Sequence, residues 1–168
     1  MEQPENPYRA TTEVNSPRHS EASQEKLFRY RTASRRGGYE ILFIGVITIV
    51  NLGLAFAEVD LFFPVGVVFP ALWAQPDAPP VLVDPLVQFV GMGILFSVLG
   101  WFASRRNKAA YVTGLILYAG DTLACGMLRD WVALGLHAFF FVLIYGSYKA
   151  IDAAAALEAA QDRGTSVS

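Results

Sequence analysis

The sequence holds a single cysteine, Cys125, in 168 residues. A lone thiol excludes an intramolecular disulfide, a CxxC redox pair and a cysteine-cluster zinc site. It also argues against the four-helix quinone-linked thiol oxidoreductases, which need paired cysteines. Charge is scarce in four places: apart from Glu40, Asp121 and Lys149, no Asp, Glu, Lys or Arg falls within 39–57, 86–103, 109–128 or 131–150. The formal net charge of −2 lacks the basic footprint of nucleic-acid binding. Nothing matches a phosphate-binding loop, an HExxH helix, a GxSxG elbow or a dinucleotide fingerprint. The spaced serines of the second block have no His or Lys at their depth to activate them, so an intramembrane serine protease is disfavoured. An enzyme is not expected, and no cofactor is.

What is present is apolar and concentrated. Hydrophobic residues make up 54% of the chain, mean hydropathy is +0.37, and the apolar residues run in blocks rather than at amphipathic spacing. At about 1.5 Å per residue, each of the four blocks is long enough to cross a hydrocarbon core of about 30 Å. The expectation is an all-α integral membrane four-helix bundle. Lys26, Arg29, Arg31, Arg35 and Arg36 precede the first block, and Arg105, Arg106 and Lys108 separate the second and third. The long loop between the first two blocks carries Glu58, Asp60, Asp77 and Asp84 but no Lys or Arg. The excess of positive charge on cytoplasmic loops therefore puts both termini in the cytoplasm, in a multi-pass cell-membrane protein. Trp73 and Trp131 would mark the outer interface, and Trp101, Tyr39 and Tyr111 the inner one.

The flanks read differently. Residues 1–38 are expected to form a disordered cytoplasmic tail, polar up to Gln24 and basic near the membrane, with Gly37-Gly38 breaking the chain before the first helix. Asp84-Pro85 and Asp130 have the chemistry of helix starts. That leaves Arg129-Asp130 as a tight hairpin between the last two helices. "IDAAAALEAAQDRG" should prolong the fourth helix into water as far as Gly164, within a 151–168 extension and tail. "LFFPVGVVFPALWA", 61–74, is apolar but too short to span and is interrupted by Pro64, Gly66 and Pro70, so it is expected to be interfacial or re-entrant. "AFA" at 55–57 resembles a signal-peptidase site, yet the long polar tail before it is unlike a signal-peptide start, so the first block is expected to stay as a span.

Three residues stand out because ionisable and amide groups are costly in hydrocarbon. Asp121 lies seven residues before Leu128 and His137 six after Trp131, on helices joined by a two-residue turn. Their side chains can therefore meet. Asn51, seven residues before Glu58, is expected in the same polar layer. Small or polar stripes support this inward facing: Thr48, Asn51, Ala55 and Glu58 on the first helix, Gly93, Ser97, Gly100 and Ser104 on the second, and Gly114, Tyr118, Asp121 and Cys125 on the third. Two readings stay open. The pair is structural, or it is a proton, ligand or metal site, with Cys125 as a third donor in the metal case. A dry layer would favour the first and a water-filled funnel the second. The basic set Lys26, Arg29, Arg31, Arg35 and Arg36 suits topology anchoring and, with its interleaved aromatics, anionic lipids. Expected partners are thus the bilayer and its anionic lipids, and a second copy or another membrane protein.

"NPYRA", Asn6 to Ala10, resembles a short NPY tag ahead of the membrane domain in small uncharacterised bacterial proteins. "YAGD", "DWVALGLHAFF" and "IYGSYKA" are similar to a hairpin of uncharacterised four-helix bacterial membrane proteins, over about the last third of the chain. The resemblance implies a bacterial cytoplasmic-membrane protein and no activity. Small four-helix multidrug exporters share the size and topology but depend on a mid-membrane Glu in the first helix, where this chain has Asn51. Two functions therefore compete: a non-enzymatic membrane component acting through partners or self-association, and a small proton-coupled transporter or proton- or metal-binding protein using Asp121 and His137.

Overall fold

The computed structural model describes residues 17–59, 61, 63–72 and 84–165. Their regular structure is entirely helical: α1 Pro17–Phe56, a 3₁₀ turn Phe69–Leu72, α2 Pro85–Ser104, α3 Lys108–Met127 and α4 Trp131–Thr165. α1 packs against α2 and α4, and α3 completes the circuit by packing against α2 and α4. Ile41, Ile44, Phe96, Tyr111, Tyr118 and Ile144 fill the core between them, all fully buried. The outward faces are apolar as well: Ile49, Ile94, Ile116, Leu123 and Val142 are exposed. Oily side chains on both faces have no explanation in water, because a water-soluble helix keeps a polar side.

Three helices, α1, α2 and α4, contain stretches long and apolar enough to cross a membrane. The expected third span, 109–128, is matched by a helix of similar bounds, but α3 is not among these three. Gly114, Gly120, Gly126, Thr113, Thr122 and Asp121 dilute it. The helix is two-sided: Tyr111, Gly114, Tyr118 and Asp121 are buried, while Val112, Ile116, Leu123 and Met127 face outward, together with Thr113.

The expected disordered tail is corrected from Pro17 onward. Residues 17–38 belong to α1, which continues through Gly37 and Gly38 without a break; the tail's first 16 residues, with the NPY segment, lie outside the described residues. Two helical glycines cost about 1 kcal/mol each against alanine. Here the missing side chains are what packing requires. A Cβ on Gly38 would strike the backbone of Ser104, one on Gly37 the side chain of Ser147, and one on Gly45 would come 2.5 Å from the Ser97 nitrogen. α2 answers with Gly100, whose Cβ would meet the Leu42 backbone. The small-residue face expected on α2 thus meets a second such face on α1, in an antiparallel crossing.

α1 and α4, about 60 and 52 Å long at 1.5 Å per residue, outreach α2 and α3. Their excess length projects as a helix pair at the end bearing Arg106. Leu27, Ile151 and Ala154 are buried there, and Arg31 bonds Glu158 across the pair. The expected extension of the fourth helix is present and is helical through Thr165, the last described residue.

The turns are compact. α1, α2 and α3 each end in paired bonds from the two residues after the cap: Glu58 N–H to Ala55 and Val59 to Leu54, Arg106 to Ala103 and Asn107 to Phe102, Arg129 to Gly126 and Asp130 to Cys125. This pattern needs a left-handed residue, usually glycine. Here it is Glu58, Arg106 and Arg129, at φ of 54°, 65° and 58°. Asn107 and Asp130 then start the next helices, their side chains accepting from Ala110 N–H at 3.1 Å and Ala133 N–H at 2.9 Å. Asp84 does the same for Leu86 N–H at 2.7 Å. Charged residues at the three left-handed positions keep these helix ends polar.

Candidate functional site

The site forms where 63–72 folds back between the helices. The hairpin turn makes α3 and α4 antiparallel neighbours and sets Asp121 and His137 at one depth, about 9 Å from the helix ends. Asp121 Oδ2 lies 2.9 Å from His137 Nε2, and both side chains are fully buried. The other imidazole nitrogen, Nδ1, is 2.7 Å from the Ala133 carbonyl one turn back. A carbonyl only accepts, so Nδ1 carries a proton and the Nε2–Oδ2 bond holds one more. Imidazolium with carboxylate and imidazole with carboxylic acid are both neutral overall. The pair therefore puts no net charge in the interior, where an unpaired ion would cost several kcal/mol.

The second carboxylate oxygen is also engaged. Oδ1 accepts from the backbone N–H groups of Val68 at 2.9 Å and Phe69 at 2.6 Å. These are the groups that open the 3₁₀ turn, which have no partner within the turn itself. Thr48 extends the pattern on α1: its hydroxyl donates to the Ile44 carbonyl and accepts from Val67 N–H, each at 2.8 Å. Asn51 grips Phe63 from both sides, Nδ2 donating to its carbonyl at 2.7 Å and Oδ1 accepting from its N–H at 2.9 Å. Gly66 lies flat over α1 between these two; a Cβ there would come 2.9 Å from Asn51 Nδ2. An irregular segment packed among helices needs partners for its buried backbone groups. Thr48, Asn51 and Asp121 supply partners.

The sequence spacing predicts Asn51, Asp121 and His137 in one layer. The structure joins Asp121 to His137 directly but gives Asn51 a different partner, the Phe63 backbone. The sequence pattern puts Thr48 in the small or polar stripe of the first helix and does not mark it as a site residue. The signal that could have found it was the 61–74 segment, too short to span and so in need of polar partners. Tyr118 stacks on the imidazole, ring centroids 5.0 Å apart and planes 19° apart. Its hydroxyl is buried with no hydrogen-bond partner among the described residues. Cys125 is buried near by, yet no group of three or more His, Cys, Asp or Glu is placed to hold a metal ion among the described residues.

The five basic candidates separate. Lys26 is exposed, and Arg29 pairs with Glu25 at 2.6 Å on an exposed face. Arg31 bonds Glu158 at 2.9 Å, which Arg106 also contacts at 3.2 Å. Arg36 bonds Glu40 at 3.1 Å. Arg35 has no ion pair or hydrogen bond among the described residues. Trp101 lies under the Arg105 guanidinium, 4.4 Å from ring centroid to Cζ, and Trp131 is exposed at the opposite end. Trp73, Asp60 and Asp77 lie outside the described residues.

No family model, curated protein or solved structure matches this chain.

Proposed function

We propose that this chain is a non-enzymatic integral membrane protein of the bacterial cytoplasmic membrane, acting through partners or self-association. In this reading it is a four-helix bundle with both termini in the cytoplasm. Asp121 and His137 are its structural fastener, holding 63–72 as a re-entrant segment in the outer half of the membrane. One observation carries the reading: every polar atom of the pair is bonded within the protein, and neither side chain is exposed. A proton relay needs a path to water, and a metal site needs further donors.

α3 fits as the fourth span because its exposed face is mostly apolar, with Thr113 the polar exception, while Asp121 faces protein. Arg105, Arg106 and Lys108 mark the cytoplasmic side, and Glu58 and Asp84 the outer side.

Two measurements test this. A reporter fused after Ser168 should be active in the cytoplasm, and a cysteine at Asp84 should label from outside while one at Lys108 should not. Outside labelling at Lys108 would overturn the orientation. Purified protein in vesicles loaded with a pH-sensitive dye should pass protons no faster than empty vesicles. Proton flux abolished by Asp121→Asn would replace the structural reading with the transport one.

A further inference from the structure

A groove of about 890 Å³ runs along the junction of α1 and α4. Arg35, Arg36 and Glu40 line its upper part, and Phe43, Phe140 and Leu143 lie below. Phe43 and Phe140 stack across it, ring centroids 6.4 Å apart. Gly38 abuts Ser104, so the two arginines sit level with the Arg105–Lys108 turn, the height of the membrane boundary. A smaller pocket of about 320 Å³ adjoins it, sharing Thr32 and Arg35 and adding Arg31 and Arg106.

We propose that this groove holds one anionic phospholipid of the cytoplasmic leaflet, its phosphate on Arg35 and one acyl chain over Phe43, Phe140 and Leu143. The proposal rests on the membrane reading above. Three observations select the occupant. Arg35 is an exposed cation with no ion pair or hydrogen bond among the described residues, and a guanidinium is the side chain best matched to phosphate. Among the described residues the charge in the groove does not cancel: Glu40 is the acidic group lining it with Arg35 and Arg36, and beside the adjoining pocket Arg31 and Arg106 share Glu158. Glu40 has one oxygen on Arg36, while its other oxygen, Oε2, is buried with no hydrogen-bond partner among the described residues. That acceptor suits a headgroup bearing a hydroxyl donor, as a phosphoglycerol does. The ammonium of an ethanolamine lipid could also donate, but it would cancel the phosphate charge that the arginines select.

The test uses the full chain. Membranes are first washed with alkaline carbonate, then solubilised in detergent. The protein is offered equimolar phosphatidylglycerol and phosphatidylethanolamine, and bound lipid is read by native mass spectrometry. One phosphatidylglycerol per chain should be retained, at least tenfold over the ethanolamine lipid. Arg35→Gln should abolish the preference, Phe43→Ser should lower retention of both lipids, and Arg29→Gln, on an exposed pair outside the groove, should change neither. Equal retention of the two lipids, or an Arg35→Gln protein that binds as before, overturns the proposal. Release by carbonate alone would contradict the membrane reading itself, a result distinct from lipid-free protein that needs detergent for extraction.

Discussion

The two ends of the helices handle charge in opposite ways. At the Asp130 end a single acidic group, Asp121, is fully buried and joins three parts of the chain: α3, α4 through His137, and the returning segment through Val68 and Phe69. At the Arg106 end, charges are many and mostly exposed. Arg31 and Arg106 share Glu158, and Lys108 bonds Asp152. In water such pairs gain little, because solvent screens the attraction and long side chains lose freedom. A buried pair behaves otherwise: removing one partner strands the other without solvent. One bond at the first end therefore matters more than the whole network at the second.

The largest effect should follow from breaking the buried pair. Asp121→Ala and His137→Ala should each destabilise the protein by about 3–5 kcal/mol, since each leaves an unpaired buried group. The double substitution should cost clearly less than the two summed. A double-mutant cycle by thermal unfolding in detergent measures this; additive losses would mean that the pair does not couple.

Next comes the α1–α2 crossing. Gly45→Ala puts a methyl 2.5 Å from the Ser97 backbone nitrogen, so the helices must separate. A loss of about 1–3 kcal/mol is expected, against almost none for Gly53→Ala, whose Cβ would meet nothing within 4 Å. Thr48→Val keeps the shape but orphans Val67 N–H, and should cost about 1–3 kcal/mol. Equal melting temperatures for Thr48→Val and the parent would remove Thr48 from the site.

The exposed network should respond least, and only at extreme pH. Bonds from Arg31 and Arg106 hold the Glu158 carboxyl below its ordinary 4.5, so its contribution is full above that value and fades as pH falls through the folded value. The bond to Asp152 holds Lys108 above its ordinary 10.5, so that contribution is full below 10.5 and fades as pH rises past it. Between these limits the pairs give a flat melting profile. Glu158→Gln should lower the melting temperature slightly at low salt and not at all at high salt. A large, salt-independent drop would place this end on the same footing as the other.

The helices were legible because long apolar blocks and Asp or Asn starts are local signals. So was the Asp121–His137 contact, since a two-residue hairpin fixes which residues of two helices share a depth. Gly37-Gly38 misled, because glycine reads locally as a break while its actual use is contact with Ser147 and Ser104, distant in sequence. α3 reads as a fourth spanning block, 109–128, but it is not among the three helices long and apolar enough to cross a membrane. Average hydropathy mixes a mostly apolar outward face with an inward one that carries Asp121, and only packing separates them. The partners of Asp121 Oδ1 were out of reach, because backbone N–H groups carry no residue code. The sequence shows only that 61–74 is too short to span.

The central claim is that Asp121 pins the returning segment, and amide hydrogen exchange reads it directly at Val68 and Phe69. In the detergent-solubilised protein both amides should exchange slowly. In Asp121→Ala they should exchange at rates approaching an open chain, while the Ile41–Ile44 stretch of α1 stays protected. Fast exchange at Val68 and Phe69 in the unaltered protein, or protection that survives Asp121→Ala, would contradict it.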